Sequence, residues 1–336
     1  MGEKTEISWC DATFNPWMGC TKVSQACQNC YAERDMDHRY GKVQWGPSGT
    51  RSKTSDANWR KPLKWNRDAE KAGIRVSVFC ASLADVFEDW QGPILDHNRQ
   101  QLFHVINGIK PSQSKSISKR WEAQGCTPIT MDDLRCDLFA LIDATPNLDW
   151  LVLTKRPENV KKMWPAKFDG PTKVDLLGPM PDLSRGVPWS DGNRNNDQRS
   201  NIVLGTSIEN QEWADRRLPY LHAAKRYGLV NRTFVSAEPL VGPIMLQGEL
   251  DGKVYNHLGE GGIDWVVTGG ESGPNARPCD PEWFRSLRDQ CAASGTPFHF
   301  KQYGEFNEHQ DRVGKKNAGR LLDGREHNSS ANAVYV

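Results

Sequence analysis

Six short, mostly apolar and β-branched runs recur along the chain, at Val76 to Phe79, Trp150 to Leu153, Ile202 to Leu204, Thr233 to Val235, Trp265 to Val267 and Phe298 to Phe300. Each reads as a strand buried on both faces. Helical spacing fills several of the intervals, over Asp132 to Ile142, Gln211 to Lys225 and Pro281 to Cys291, the last opening on an Asp-Pro start signal and closing before Gly295. Strand followed by helix, repeated, specifies a parallel sheet. Polar residues follow every run: Ser82 and Asp85; Thr154, Lys155 and Arg156; Ser207, Glu209 and Asn210; Glu238; Glu271; Lys301 and Gln302. A (β/α) barrel carries its active site on the rim formed by the carboxyl ends of its strands, whereas an open doubly wound sheet concentrates ligands at one switch point. So many decorated ends predict an α/β chain with a partial or full (β/α) barrel and polar loop insertions. Helix caps and loop polars account for part of the set on general grounds.

Two polar stretches, near 110–130 and 165–200, break the rhythm and read as insertions. Beyond Asn307 little apolar content remains, which predicts a weakly structured tail over 307–336. At 336 residues the chain is long enough to bury a full core. No apolar run approaches the roughly 20 residues that cross a bilayer, and MGEKTEISW lacks the apolar segment of a secretion signal. The expectation is a cytoplasmic chain with no membrane partner. Lysine and arginine total 43 against 42 acidic residues, so any attraction to nucleic acid rests on a local patch and not on a global field.

Nine cysteines cannot all pair with one another, and a cytosol keeps thiols reduced, which turns attention to metal chemistry. Cys20, Cys27 and Cys30 are spaced C-x6-C-x2-C. Three thiolates can hold three irons of a cubane [4Fe-4S] cluster and leave the fourth iron open to a ligand. The competing reading is a closed zinc centre that takes Cys10 as fourth thiolate, in a zinc-stabilised nucleic-acid-binding protein without redox chemistry. Cys80, Cys126, Cys136, Cys279 and Cys291 are scattered and read as small buried or incidental thiols.

The segments FNPWMGCTKVSQACQNCYAE, TSDANWRKPLKWN, LTKRPENV, GTSIEN, SAEPLVGPI, VTGGESGPNARP, FKQYGEF and GRLLDGR span nearly the whole chain. Through them it resembles a phage-associated three-cysteine-motif family of unknown function. That family is itself similar to radical S-adenosyl-L-methionine (SAM) enzymes and distantly to spore photoproduct lyase. The resemblance implies one radical SAM-like barrel domain over 1–306, a cluster held by Cys20, Cys27 and Cys30, and SAM as cofactor on the open iron. It also implies an electron donor such as a flavodoxin or ferredoxin. Reductive cleavage of SAM would then yield a radical that abstracts hydrogen from substrate. The first cysteine gap is longer than the C-x3-C-x2-C of most radical SAM enzymes, and Gly269-Gly270-Glu271 follows a late strand instead of the second.

Within that frame Ser82 and Asp85 are the candidates for the SAM amino group, and Ser207, Glu209 and Asn210 for its ribose or carboxylate, with Tyr31 packing near the cluster. Lys155, Arg156, Glu238, Gly269, Gly270, Glu271 and Lys301 are candidates for substrate contact or catalysis, or for an internal ion-pair network. Between Trp45 and Arg67 six cations alternate with tryptophans, and Trp59, Arg60, Lys61, Lys64 and Trp65 suggest stacking on bases and pairing with phosphates of a nucleic acid or nucleotide. The alternative is a cationic surface whose tryptophans pack on the barrel.

Overall fold

All six apolar runs form strands of one curled parallel sheet. The computed structural model describes residue 5 and residues 7–104, 127–167 and 198–330. The two stretches read as insertions lie outside the described residues except at 127–130, 165–167 and 198–200, as does Cys126. The sheet comprises β1 (Ala12–Thr13), β4 (Val76–Cys80), β6 (Leu148–Thr154), β7 (Ile202–Ser207), β8 (Arg232–Ala237), β11 (Trp265–Thr268) and β12 (Phe298–Phe300). The smaller sheet joins β2 (Trp17–Met18), β3 (Arg51–Lys53) and β5 (Ile94–Leu95), and β9 (Gln247–Leu250) pairs with β10 (Lys253–Asn256) as a hairpin.

The order β1-β4-β6-β7-β8-β11-β12 follows the chain and never reverses, and every neighbouring pair is parallel. Right-handed crossovers that always advance in one direction leave every helix on one face. A sheet wound this way curls into a half-barrel, and its other face becomes a concave interior. The side chains obey that division with period two. Val78, Trp150, Val152, Ile202, Leu204, Val235 and Val266 join the large core beneath the helices, with Leu138, Leu218 and Leu287. Phe79, Leu151, Val203, Phe234, Trp265 and Val267 form a separate cluster with Trp9 on the inner face. Trp9 lies 4.6 Å from Phe79 and 5.8 Å from Trp265 between ring centroids and so closes the floor.

The helices begin and end where local chemistry dictates. Thr130 and Asp133 form a capping box for Met131–Asp143, Asn210 accepts from Trp213 N to cap Gln211–Arg226, and Asp280 caps Pro281–Ser294. Gly295, at φ 69°, ends the last of these in the left-handed conformation. Among the described residues no helix is long and apolar enough to cross a membrane.

The carboxyl-terminal segment departs from the expected weak packing as far as it is described. Leu322 is fully buried, Phe300 N donates to His327 O, Trp265 Nε1 donates to Ser329 O at 2.9 Å, and Arg285 pairs with Asp323 at 2.8 Å. Apolar content understates this docking because it works mainly through backbone groups and ion pairs.

Gly205 lies on the inner face of β7, where a Cβ would sit 2.2 Å from Phe234 Cε1. The Phe234 ring occupies the space that any larger residue would need. Gly205→Ala should therefore destabilise the chain by about 1–3 kcal/mol in denaturant unfolding, with Phe234→Leu restoring part of the loss. A Gly205→Ala chain as stable as the parent would contradict this packing.

Candidate functional site

Asn15 builds the approach to the cysteine loop. Its side chain accepts from Leu83 N at 2.8 Å and donates to Ser82 Oγ at 3.0 Å, joining the carboxyl ends of β1 and β4. β2 then leads into Gly19, whose φ of 107° and whose closeness to Thr50 O, 2.6 Å from any added Cβ, leave room for glycine alone. The pairing of β2 with β3 closes the loop from Cys20 to Thr50 at its base. Cys27 ends a helical turn in which its N donates to Ser24 O, and Cys30 opens the next turn, where Arg34 N donates to Cys30 O.

Cys20, Cys27 and Cys30 line one cavity of about 830 Å³ over the concave face, together with Tyr31, Ser82, Asp85, Lys155, Arg156, Ser207, Glu238, Gly270, Glu271 and Lys301. This brings together most of the residues singled out from the sequence. Cys10 is elsewhere, packed against the floor cluster with its Sγ directed at Ile7 O, 3.9 Å away. Burial pushes the Cys10 and Cys20 thiols up to about 12 and raises Cys30 as well. Glu88 and Asp85 add to the rise at Cys20 and Arg156 opposes it, while Lys155 opposes the rise at Cys30. Any cation these thiols take up must therefore displace their protons.

Buried ion pairs hold the near side of the loop. Arg156 donates to Cys20 Sγ at 3.5 Å, Thr21 O at 2.7 Å and Asp85 Oδ2 at 2.9 Å, and lies 3.3 Å from Glu88. Glu88 also accepts from Thr21 N at 2.8 Å and from Arg51 at 2.7 and 2.8 Å, with Arg51 stacked on Trp90. Asp85 accepts further from Thr154 Oγ1 and from the backbone of Lys155 and Phe87. Burial disfavours its charge, but these donors more than compensate and hold its carboxyl below the usual range.

A latch holds the far side. Glu271 accepts two bonds from the Arg277 guanidinium, one from Arg277 N and one from Asn29 Nδ2 at 3.2 Å. Asn29 also donates to Asn275 O, and Arg277 to Gln25 O. The loop bearing Cys27 and Cys30 is thus tied across the open side of the half-barrel to the β11 loop. Burial works against the Glu271 charge, yet Arg277 keeps its carboxyl below the ordinary range. Gly270 serves backbone packing, since a Cβ there would meet Tyr303 O at 1.9 Å. Gly269 leaves room for Glu238, whose Oε1 would lie 2.9 Å from a Cβ and pairs with Lys301 Nζ at 2.8 Å.

Several expected contacts are engaged otherwise. Ser82 is bonded to Asn15 and, through its carbonyl, to the Tyr31 hydroxyl, and the Asp85 oxygens are taken up by Arg156, Thr154 and backbone N–H groups. Glu209 is fully buried against Arg217 at 2.7 Å and Asn210 caps a helix, so neither reaches the cavity, unlike Ser207. Two tryptophans of the cationic stretch pack on the barrel: Trp65 is 7% exposed in the core, and the half-buried Trp59 packs edge-on against Phe14 while its Nε1 donates to Pro16 O. Arg51 is sealed inside, whereas Arg60 and Lys64 are exposed and Lys61 is half-buried. Glu88, Asn29 and Arg277 were not singled out from the sequence, and Arg51 was read there only as one of the surface cations between Trp45 and Arg67; Arg51, Glu88 and Asn29 act through partners in distant segments. Glu88 had a local hint in its place three residues after Asp85, and Arg277 in its place six residues after Glu271.

A family model described as Protein of unknown function (DUF5131) matches residues 4–125 and 127–331, so the chain belongs to that family. Comparison with curated proteins finds no match, and comparison with solved structures finds none.

Removing the latch should loosen the loop. In Glu271→Ala, amide hydrogen exchange over residues 24–31 should rise by about 10-fold or more, while the Pro281–Ser294 helix keeps its protection. Unchanged exchange over 24–31 would rule the latch out.

Proposed function

We propose that the chain is an enzyme of radical SAM type, in which Cys20, Cys27 and Cys30 hold a [4Fe-4S] cluster. The observation that carries this reading is the meeting of these three thiols at one cavity, on the carboxyl rim of a singly wound parallel half-barrel. Among the described residues no three His, Cys, Asp or Glu side chains are arranged to share one metal ion. A cubane asks something else of its protein, one thiolate for each of three irons. The four-thiolate zinc alternative needs Cys10, which packs at the floor and not at the cavity rim.

When bound, the cluster and SAM would supply one-electron cleavage of a sulfonium carbon–sulfur bond and a radical able to abstract hydrogen. The chain's own residues would hold and enclose. Arg156 orients Cys20 and offers it a guanidinium N–H, the kind of contact that tunes an iron–sulfur centre. Lys155 places positive charge near Cys30, which favours the thiolate that iron requires. Trp9, Phe79 and Leu153 give the cavity an apolar floor that keeps water from the reacting groups. An electron donor such as a flavodoxin or ferredoxin, and a nucleotide or other small substrate, complete the proposal.

Anaerobic reconstitution with iron and sulfide, followed by reduction in the presence of SAM, should yield 5′-deoxyadenosine. Cys20→Ala, Cys27→Ala and Cys30→Ala should each abolish the product, and Cys10→Ala should retain it. No product from a chain with an intact reduced cluster, or loss of metal in Cys10→Ala but not in Cys20→Ala, would refute the reading.

A further inference from the structure

The cavity wall has donors to spare and no free carboxylate. Five carboxylates line it, and all are engaged. Asp35 pairs with Arg34 at 2.9 Å, Asp85 with Arg156 at 2.9 Å, Glu238 with Lys301 at 2.8 Å and Glu271 with Arg277 at 2.8 Å, while Glu305 accepts from Gly273 N at 2.9 Å. Several donors on the same wall have no acceptor among the described residues. The Lys155 ammonium makes no hydrogen bond or ion pair, and the buried Ser207 Oγ and Trp9 Nε1 are unpartnered. Ser207 is 1% exposed and Trp9 6%. A buried donor without an acceptor costs about 1–3 kcal/mol, so two beside an unpaired ammonium in one cavity call for an explanation.

Sheet register sets two of these donors side by side. Thr154, the last residue of β6, pairs with Thr206, which sets Lys155, the next residue, beside Ser207 at the end of β7, and Ser207 pairs in turn with Ser236, also on the cavity wall. Phe79, Leu153 and the Trp9 ring line the same cavity with apolar surface. Its volume, about 830 Å³, suits a small molecule and not a duplex. We propose that this part of the cavity is a subsite for a small organic anion, its carboxylate or phosphate held by Lys155 and Ser207 and its apolar body resting on Phe79, Leu153 and Trp9. The charge of Lys155 supplies attraction and the hydroxyl of Ser207 supplies direction. Arg156 cannot take this role, because Asp85 and Glu88 already claim its guanidinium.

The test uses ligand-observed NMR on the full chain with phenyl phosphate, benzoate and benzamide, which share a ring and differ in the head group. At least one anion should bind with a dissociation constant of about 1 mM, and benzamide at least about tenfold more weakly. Lys155→Gln and Ser207→Ala should each weaken the bound anion by about tenfold, and Lys316→Gln, outside the cavity, should leave it unchanged. Stronger binding of phenyl phosphate assigns a phosphate ligand, and stronger binding of benzoate a carboxylate. Absence of binding by either anion, equal binding of benzamide, or anion binding that survives Lys155→Gln would overturn the subsite. No iron is needed for this measurement. Its failure leaves the thiol-based reading standing, and failure of cluster assembly leaves the subsite standing.

Discussion

The buried set Arg51, Glu88, Arg156 and Asp85 is the interaction on which the site depends. Its members come from β3, from the segment after β4 and from the end of β6, and its hydrogen bonds reach Cys20 Sγ and both polar backbone groups of Thr21. Two guanidinium groups face two carboxylates, so charge balances inside the protein. Balance of this kind is a condition for burial, since taking one partner away strands an uncompensated charge at a cost of about 3–5 kcal/mol. The set therefore fixes Cys20 relative to the strands more firmly than a surface loop could be fixed. Its position beside a thiol makes the same charges part of the local electrostatics of any metal held there.

Two anchors of different kinds support the cysteine loop. The near anchor is internal, with Arg51 and Glu88 almost wholly out of solvent. The far anchor, Glu271 with Arg277 and Asn29, spans the open side of the half-barrel and is partly exposed, with the Arg277 side chain at 27%. A half-barrel of seven strands lacks the closure that a full barrel gets from its last strand. Here Trp9 closes the floor, Ser8 reaches His299 at 3.0 Å, and the latch bridges the rim. The cavity is thus enclosed by segments outside the regular strands, and these also carry the thiols.

Much of the scaffold was legible because it is written in local pattern. The six strand runs, the helices around Asp132 to Ile142, Gln211 to Lys225 and Pro281 to Cys291, and the polar rim all correspond to observed elements within a few residues. β1 and β2 have two residues each and carry no periodicity to read. The meeting of Cys20, Cys27 and Cys30 with Lys155, Glu238 and Lys301 follows from strand order, once that order is known. Which polar group is free is another matter. Glu209 and Ser207 stand two residues apart on one strand end, yet one is consumed by Arg217 and the other faces the cavity. Trp59 and Trp65 looked like a binding surface because composition registers ring and charge but not the side of the helix on which each falls. Long-range pairing decides such cases, and a single sequence contains no local trace of it.

The proposed chemistry stands on three thiols that hold a cluster with one iron left open. The most direct measurement is the iron, zinc and sulfide content of the anaerobically reconstituted chain, with the electron paramagnetic resonance spectrum of its reduced form taken before and after addition of SAM. About four irons and four sulfides per chain are expected, with a spectrum that changes when SAM binds the open iron. Zinc without sulfide, or a cluster whose spectrum is indifferent to SAM, would contradict that chemistry.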